Sequence, residues 1–195
     1  MPDTQLTNPT ANNGLGTWST AQVIEEYLFD PTVTIATTGY ANGLGLVNGT
    51  VVMLYGGYTY STNTTSSTVV SFGSFGSPGA VPVLRKTATA GTNNWQVGVV
   101  VNAPTGTITG TGASPTVTGG YQPGQIVQVC VQGVTGILMD ANNTTYGHYA
   151  VGATTTAGCA TDSASITAGK TLGIILATTT ISSNQALVPI YMNLQ

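Results

Sequence analysis

Val127, Val129 and Val131 alternate with Gln128, Cys130 and Gln132, and a side-chain period of two predicts a strand with one buried and one wetter face. A turn at Gln122, Pro123 and Gly124 leads into it, and Gly133 and Gly136 are expected to break the run on the far side. Shorter strands punctuated by glycine are predicted over 146–153, 171–177 and 187–194. Residues 121–194 therefore read as one β module.

Upstream the pattern is more varied. Residues 1–16 are polar, carry Pro2, Pro9, Gly14 and Gly16, and show no periodicity, which predicts an extended N-terminal arm ahead of a single β-rich domain over 17–195. One short helix is expected next. Ser19 suits an N-cap, Gln22 completes a capping-box pattern, Val23, Ile24, Tyr27 and Leu28 fall on one helical stripe, and Asp30 and Pro31 stop it. Strands are predicted over 32–36, over 50–55 up to a turn at Gly56 and Gly57, and over 69–72, 81–86 and 96–102. Between them fall a glycine-rich loop at 39–45, a hairpin loop at 63–66 and a second glycine-rich loop at 73–79. Pro82 has no amide to donate, so its strand is expected to lie at a sheet edge or to begin there. The Gly and Thr stretch at 105–120 reads as a protruding hairpin or a loop within one sheet system, not as a domain linker. Strand spacing of roughly ten to fifteen residues fits an all-β barrel or sandwich of short antiparallel strands.

Composition narrows the function. The chain has 195 residues, enough to bury a core, and only 5% of them are charged, against about a quarter in ordinary soluble domains. Abundant Val, Ile and Thr within 41% hydrophobic content argue for folding and against disorder. A net charge of −3 with three basic residues gives no electrostatic footprint for nucleic acid. No apolar run reaches the length of a membrane-spanning helix, and the first residues lack the basic and apolar blocks of a secretory signal, so production without Sec export is expected. Cys130 and Cys159 read as two buried thiols, with a disulfide left open.

The chemical inventory is thin. His148 is the sole imidazole, and its neighbours Tyr146, Gly147 and Tyr149 make it a surface or structural histidine before a catalytic base. Two cysteines, one histidine and scattered acids do not make a zinc site. Asp140, Asn142 and Asn143 lack the glycine and terminal glutamate of a calcium loop and read as a polar turn. Glu25 and Glu26 are adjacent and point apart, so they are no catalytic pair. The glycine-rich loops are not followed by the Lys and Ser/Thr of a phosphate cradle. No enzyme activity, cofactor or metal is expected. Arg85 and Lys86 are the one basic pair, read either as solvated strand-end residues or as a contact with an acidic partner.

Gly124 through Val127, Val129 and Val131 to Gly133 and Val134, then Tyr146 to Gly152, Ala157 to Ala160, Leu172 to Ala177 and a closing strand, form a pattern that resembles tailed-bacteriophage capsid cement or decoration proteins and related phage β modules. Val83 to Ala88 and Val97 to Val101 are similar to the strands that precede the module in those proteins, so the resemblance covers roughly 81–194. It implies a virion structural protein, often a homotrimer, that docks on the major capsid protein at the capsid exterior and stiffens the shell. Under that reading the expected capsid contacts are Thr4, Leu6 and Asn8 of the arm together with Arg85 and Lys86. The alternative is a fibre or spike module that binds host carbohydrate through Trp18, Trp95 and the closely spaced Tyr55, Tyr58 and Tyr60.

Overall fold

The structure is a computed structural model that describes residues 22–37, 39–59, 68–70, 80–87, 96–109, 116–140, 143–152, 156–181 and 185–193. Among these residues the regular structure is entirely β, in twelve strands: β1 (Val23–Phe29), β2 (Val51–Thr59), β3 (Thr68–Val70), β4 (Ala80–Lys86), β5 (Gln96–Val101), β6 (Gly106–Thr109), β7 (Thr116–Gly119), β8 (Ile126–Met139), β9 (Tyr149–Gly152), β10 (Ala160–Ser163), β11 (Thr171–Ile175) and β12 (Ala186–Asn193). Ten strands share one large mixed sheet, and β6 and β7 form a separate two-stranded ribbon.

The 14-residue β8 is the spine. Its first half pairs with β1 on one side and β5 on the other, and its second half pairs with β12 and, at Met139, with β10. Two circuits of pairing return to it. One runs β8, β1, β4, β2, β5 and back; the other runs β8, β12, β11, β9, β10 and back. Each circuit encloses a core. Phe29, Tyr40, Leu46, Val52, Leu84, Val100, Val127 and Val129 fill the first, and Ile137, Met139, Leu172, Ile175, Val188, Ile190 and Met192 fill the second. Val51 and Val99 belong to the second core although β2 and β5 lie in the first circuit, so the second unit packs on the outer face of those strands. This is why β5 is buried on both faces.

The glycines expected to end the central strand do not end it. Gly133 has φ of 107°, a conformation that costs glycine little, and at the adjacent Gln132 the chain has β1 on one side and the end of β12 on the other. The glycine lets β8 turn from the first circuit into the second without losing its ladder.

The expected helix is corrected: residues 23–29 form β1, antiparallel to β8. The sequence Val-Ile-Glu-Glu-Tyr-Leu-Phe carries β-branched and aromatic residues as suited to a strand as to a helix, and the long edge of β8 supplies the backbone partners that decide between them. Tyr27 donates its hydroxyl to Glu25, a contact between same-face neighbours two apart on a strand. The proposed N-cap, Ser19, lies outside the described residues.

The strand expected over 32–36 is a turn instead. Asp30 captures it: Oδ1 accepts from the Thr32 amide at 2.8 Å and from the Thr32 hydroxyl at 2.7 Å, an Asx turn that removes the backbone from any ladder. β2 also runs through Gly56 and Gly57, where a turn was expected, and pairs there with β4 and β3. β4 sits between β1 and β2, yet β1 reaches only Val83 and Leu84, so Pro82 lies where the strand begins and is paired on one side only. β10 had no sequence signal. The loops expected at 63–66 and 73–79 lie outside the described residues.

Candidate functional site

Arg85 and Lys86 leave β4 on opposite faces, and the structure uses both within the chain. Arg85 Nε donates to Asp30 Oδ2 at 2.7 Å, its NH2 group reaches Thr32 Oγ1 at 3.3 Å, and its guanidinium lies 3.3 Å above the centroid of the Tyr55 ring. Asp30 is fully buried, so this ion pair ties the turn after β1 to β4. Lys86 is buried; its Nζ donates to the Gly43 carbonyl at 3.2 Å and stands 4.7 Å from the centroid of Tyr40, whose hydroxyl accepts the Lys86 amide at 2.6 Å. Burial pushes the Lys86 amine down to about 8, and it pushes the Tyr40 phenol up. The reading of these two residues as solvated strand-end charges is therefore corrected, and neither presents a free charge to a partner. Thr4, Leu6 and Asn8, like Trp18, Trp95 and Tyr60, lie outside the described residues.

His148 is partly exposed, with Nδ1 2.6 Å from Asp162 Oδ1, while Asp162 Oδ2 accepts the Thr145 amide at 2.6 Å. The Tyr146 amide donates to Thr178 Oγ1 and the Gly147 amide to the Ile175 carbonyl. The histidine and its carboxylate thus clamp the 144–148 loop against β10 and β11. Among the described residues no group of three or more His, Cys, Asp or Glu side chains is placed to hold a metal ion. Cys130 and Cys159 are buried free thiols, and burial raises the pKa of each.

What sequence reasoning missed is a surface. Register sets Tyr149 of β9 beside Ile174 of β11, Ile174 beside Tyr191 of β12, and Tyr191 beside Val134 of β8. Directly paired residues share a sheet face, so the four side chains form a row across four strands. Along β12 the same face continues through Pro189 and Leu187 in one direction and Asn193 in the other. The residues between them, Val188, Ile190 and Met192, point into the second core and are fully buried. Ile174 is 40% exposed and Leu187 57%, and no residue named on this face is charged. Six residues of strand by four strands gives about 20 by 14 Å, roughly 300 Å². That is the size of the largest apolar patch on a typical monomer, which is often functional. The signal was present in 187–193, where Leu187 and Tyr191 stand opposite the buried parity of Val188, Ile190 and Met192, but only the register of β9, β11, β12 and β8 brings the rows together.

At its Leu187 end the face borders a groove of about 500 Å³, lined by Val47, Leu138, Leu187, Ala103, Pro104 and Ile108 among others. No charged side chain lines it. The β6–β7 ribbon stands over it, anchored by Val117 and Ile108 on Val47 and Leu138.

No protein-family model matches the chain, and neither a curated protein nor a solved structure matches it.

Proposed function

We propose that this chain is a virion structural protein that binds the major capsid protein on the outer surface of an icosahedral phage capsid and stabilises the shell. The observation that carries the reading is the uncharged row Tyr149, Ile174, Tyr191 and Val134, held on four hydrogen-bonded strands over a closed core. A rigid apolar surface with no nearby charge is suited to docking on another protein and costs little side-chain ordering when it does so. The two circuits of pairing that meet in β8 act in this reading as two small barrels sharing one strand, a body stiff enough to transmit load. A footprint of roughly 300 Å² is well below the ~800 Å² per partner of a stable interface, so one such face holds weakly by itself. Trimerisation, copies repeated on a symmetric shell, and an arm carrying Thr4, Leu6 and Asn8 onto the neighbouring subunit supply the remainder by avidity.

The carbohydrate alternative has less to rest on, because one face of the Tyr55 ring is taken by Arg85 and the side chain of Tyr58 falls outside what the structure describes. Co-sedimentation with expanded capsids that lack the protein tests the proposal. The chain is expected in the pellet at micromolar concentration, and Ile174→Asp is expected to leave it in the supernatant with its fold intact. Unmodified chain that stays in the supernatant while it binds on a glycan array would replace the capsid reading with the alternative.

A further inference from the structure

The β6–β7 ribbon has one edge in use and one edge free. In an antiparallel ladder directly opposed residues exchange both backbone bonds or neither, in alternation. Val117 spends its amide on the Asn42 carbonyl at 2.8 Å, and the Gly119 carbonyl accepts from Gln122 Nε2 at 2.9 Å, whereas Gly120 bonds across to the Thr105 carbonyl. Ile108 with Val117 and Gly106 with Gly119 are therefore the pairs that do not bond each other. The amides and carbonyls of Gly106 and Ile108 accordingly point away from β7, and among the described residues none bonds them. Two donors and two acceptors stand in a row, with about 7 Å from one residue to the next.

The groove borders this free edge: Gly106 and Ile108 line it, and no residue of β7 does. β6, Gly-Thr-Ile-Thr, carries none of the lysine, proline or bulge that usually guards a sheet edge. An unpaired row of backbone groups recognises another extended backbone, and a lining without charged side chains favours a segment without charge. Its volume of about 500 Å³ is within the ordinary range of binding clefts. β6 of a second copy is unsuited to the place, because its own underside is already packed through Ile108 on Val47 and Leu138 and cannot also lie on the first copy's Leu187.

We propose that the free edge of β6 and the groove beside it form a strand-addition site for an extended, uncharged segment of another protein. The added strand pairs with Gly106 and Ile108 and sets alternate apolar side chains on Leu138 and the exposed Leu187. The inference does not depend on the capsid reading, since it rests on the backbone of β6 and not on the Tyr149 to Val134 row.

Nuclear magnetic resonance of the full-length, nitrogen-15-labelled chain tests it, with the capped peptide acetyl-Thr-Val-Thr-Val-Thr-amide as the probe. In the free chain the Gly106 and Ile108 amides are expected to exchange rapidly with solvent while those of Thr107 and Thr109 are protected; the peptide should shift and protect the first two. In antiparallel pairing both valines stand opposite Gly106 and Ile108, so N-methylation of the two valines should abolish binding and N-methylation of the central threonine should not. Leu187→Asp should weaken binding by roughly tenfold or more with unchanged far-ultraviolet circular dichroism. Absence of any peptide effect on Gly106 and Ile108 overturns the proposal, and so does equal binding of the two methylated peptides. Amides of Gly106 and Ile108 already protected in the free chain overturn it too, by assigning the edge to a second copy if protection fades on dilution and to the chain itself if it persists.

Discussion

Lys86 offers a quantitative check on how the first core is built. Its amine sits in a buried pocket with one carbonyl acceptor, Gly43, and the face of Tyr40, and burial lowers its pKa from 10.5 to about 8. At roughly 1.4 kcal/mol per pH unit, holding the charged form in this site costs folding about 3 kcal/mol. The sign follows from proton counting. Below pH 8 the amine is charged in both folded and unfolded chains, and the full penalty applies. Between pH 8 and 10.5 the unfolded chain binds the extra proton, so the Lys86 contribution to stability rises with pH; above 10.5 the penalty is gone. Cys130 and Cys159, whose pKa values are raised, act in the opposite direction above about pH 9, as their thiols ionise only on unfolding. The effect must therefore be read as a difference between two proteins that share those thiols. Lys86→Met keeps the length and apolar stem of the side chain and removes the charge. It is expected to stabilise the chain by about 2 kcal/mol at pH 7, after the loss of the Gly43 hydrogen bond and the cation–ring contact, and the gain should shrink steadily toward pH 10.5. Urea denaturation of both proteins at pH 7, 8, 9 and 10 measures it. A difference that does not change with pH would refute the placement of Lys86 as a buried, destabilised charge.

Three further outcomes are expected. Asp30→Ala leaves the Arg85 guanidinium without its carboxylate and the Thr32 turn without its acceptor, and should cost about 3 kcal/mol in the same denaturation assay, most of which Arg85→Met in the Asp30→Ala background should recover. Gly98→Ala would place a methyl group 2.2 Å from the Cys130 carbonyl oxygen where β5 meets β8, so the variant should unfold several degrees lower than the parent in a thermal melt, and an unchanged melting temperature would contradict the close approach of those strands. Cys130 and Cys159 should resist a thiol reagent in the native chain and both react once it is unfolded in urea; rapid native labelling of either would contradict its burial.

The elements that were legible in the sequence are those whose side chains alternate over one buried face. The beginning of β8, and β5, β11 and β12, stood out because Val, Ile and Leu recur at a period of two, and β9 because glycines bound a short run containing Tyr149 and Val151. The misreadings share a cause. Residues 23–29 fit a helical stripe and a strand equally, and only the neighbouring edge of β8 breaks the tie. Residues 32–36 alternate but follow an aspartate whose side chain takes their first amide. Gly133 and Gly136 look like punctuation, yet a glycine in a strand can also be the hinge that lets it serve two units. Arg85 and Lys86 looked like surface charges because sequence cannot show a fully buried Asp30 or the ring of Tyr40 waiting for them.

The sequence by itself determined that this is a β protein with very little charge. Those properties are summed over residues and need no knowledge of which strand lies beside which. Tertiary structure decided that one strand is shared by two circuits, that the basic pair is used internally, and that Tyr149, Ile174, Tyr191 and Val134 form a single uncharged face. The physical reason is that strand pairing joins residues as far apart in the chain as Val23 and Gln132, and the register of each pairing, set by how two cores close, fixes which side chains meet in space.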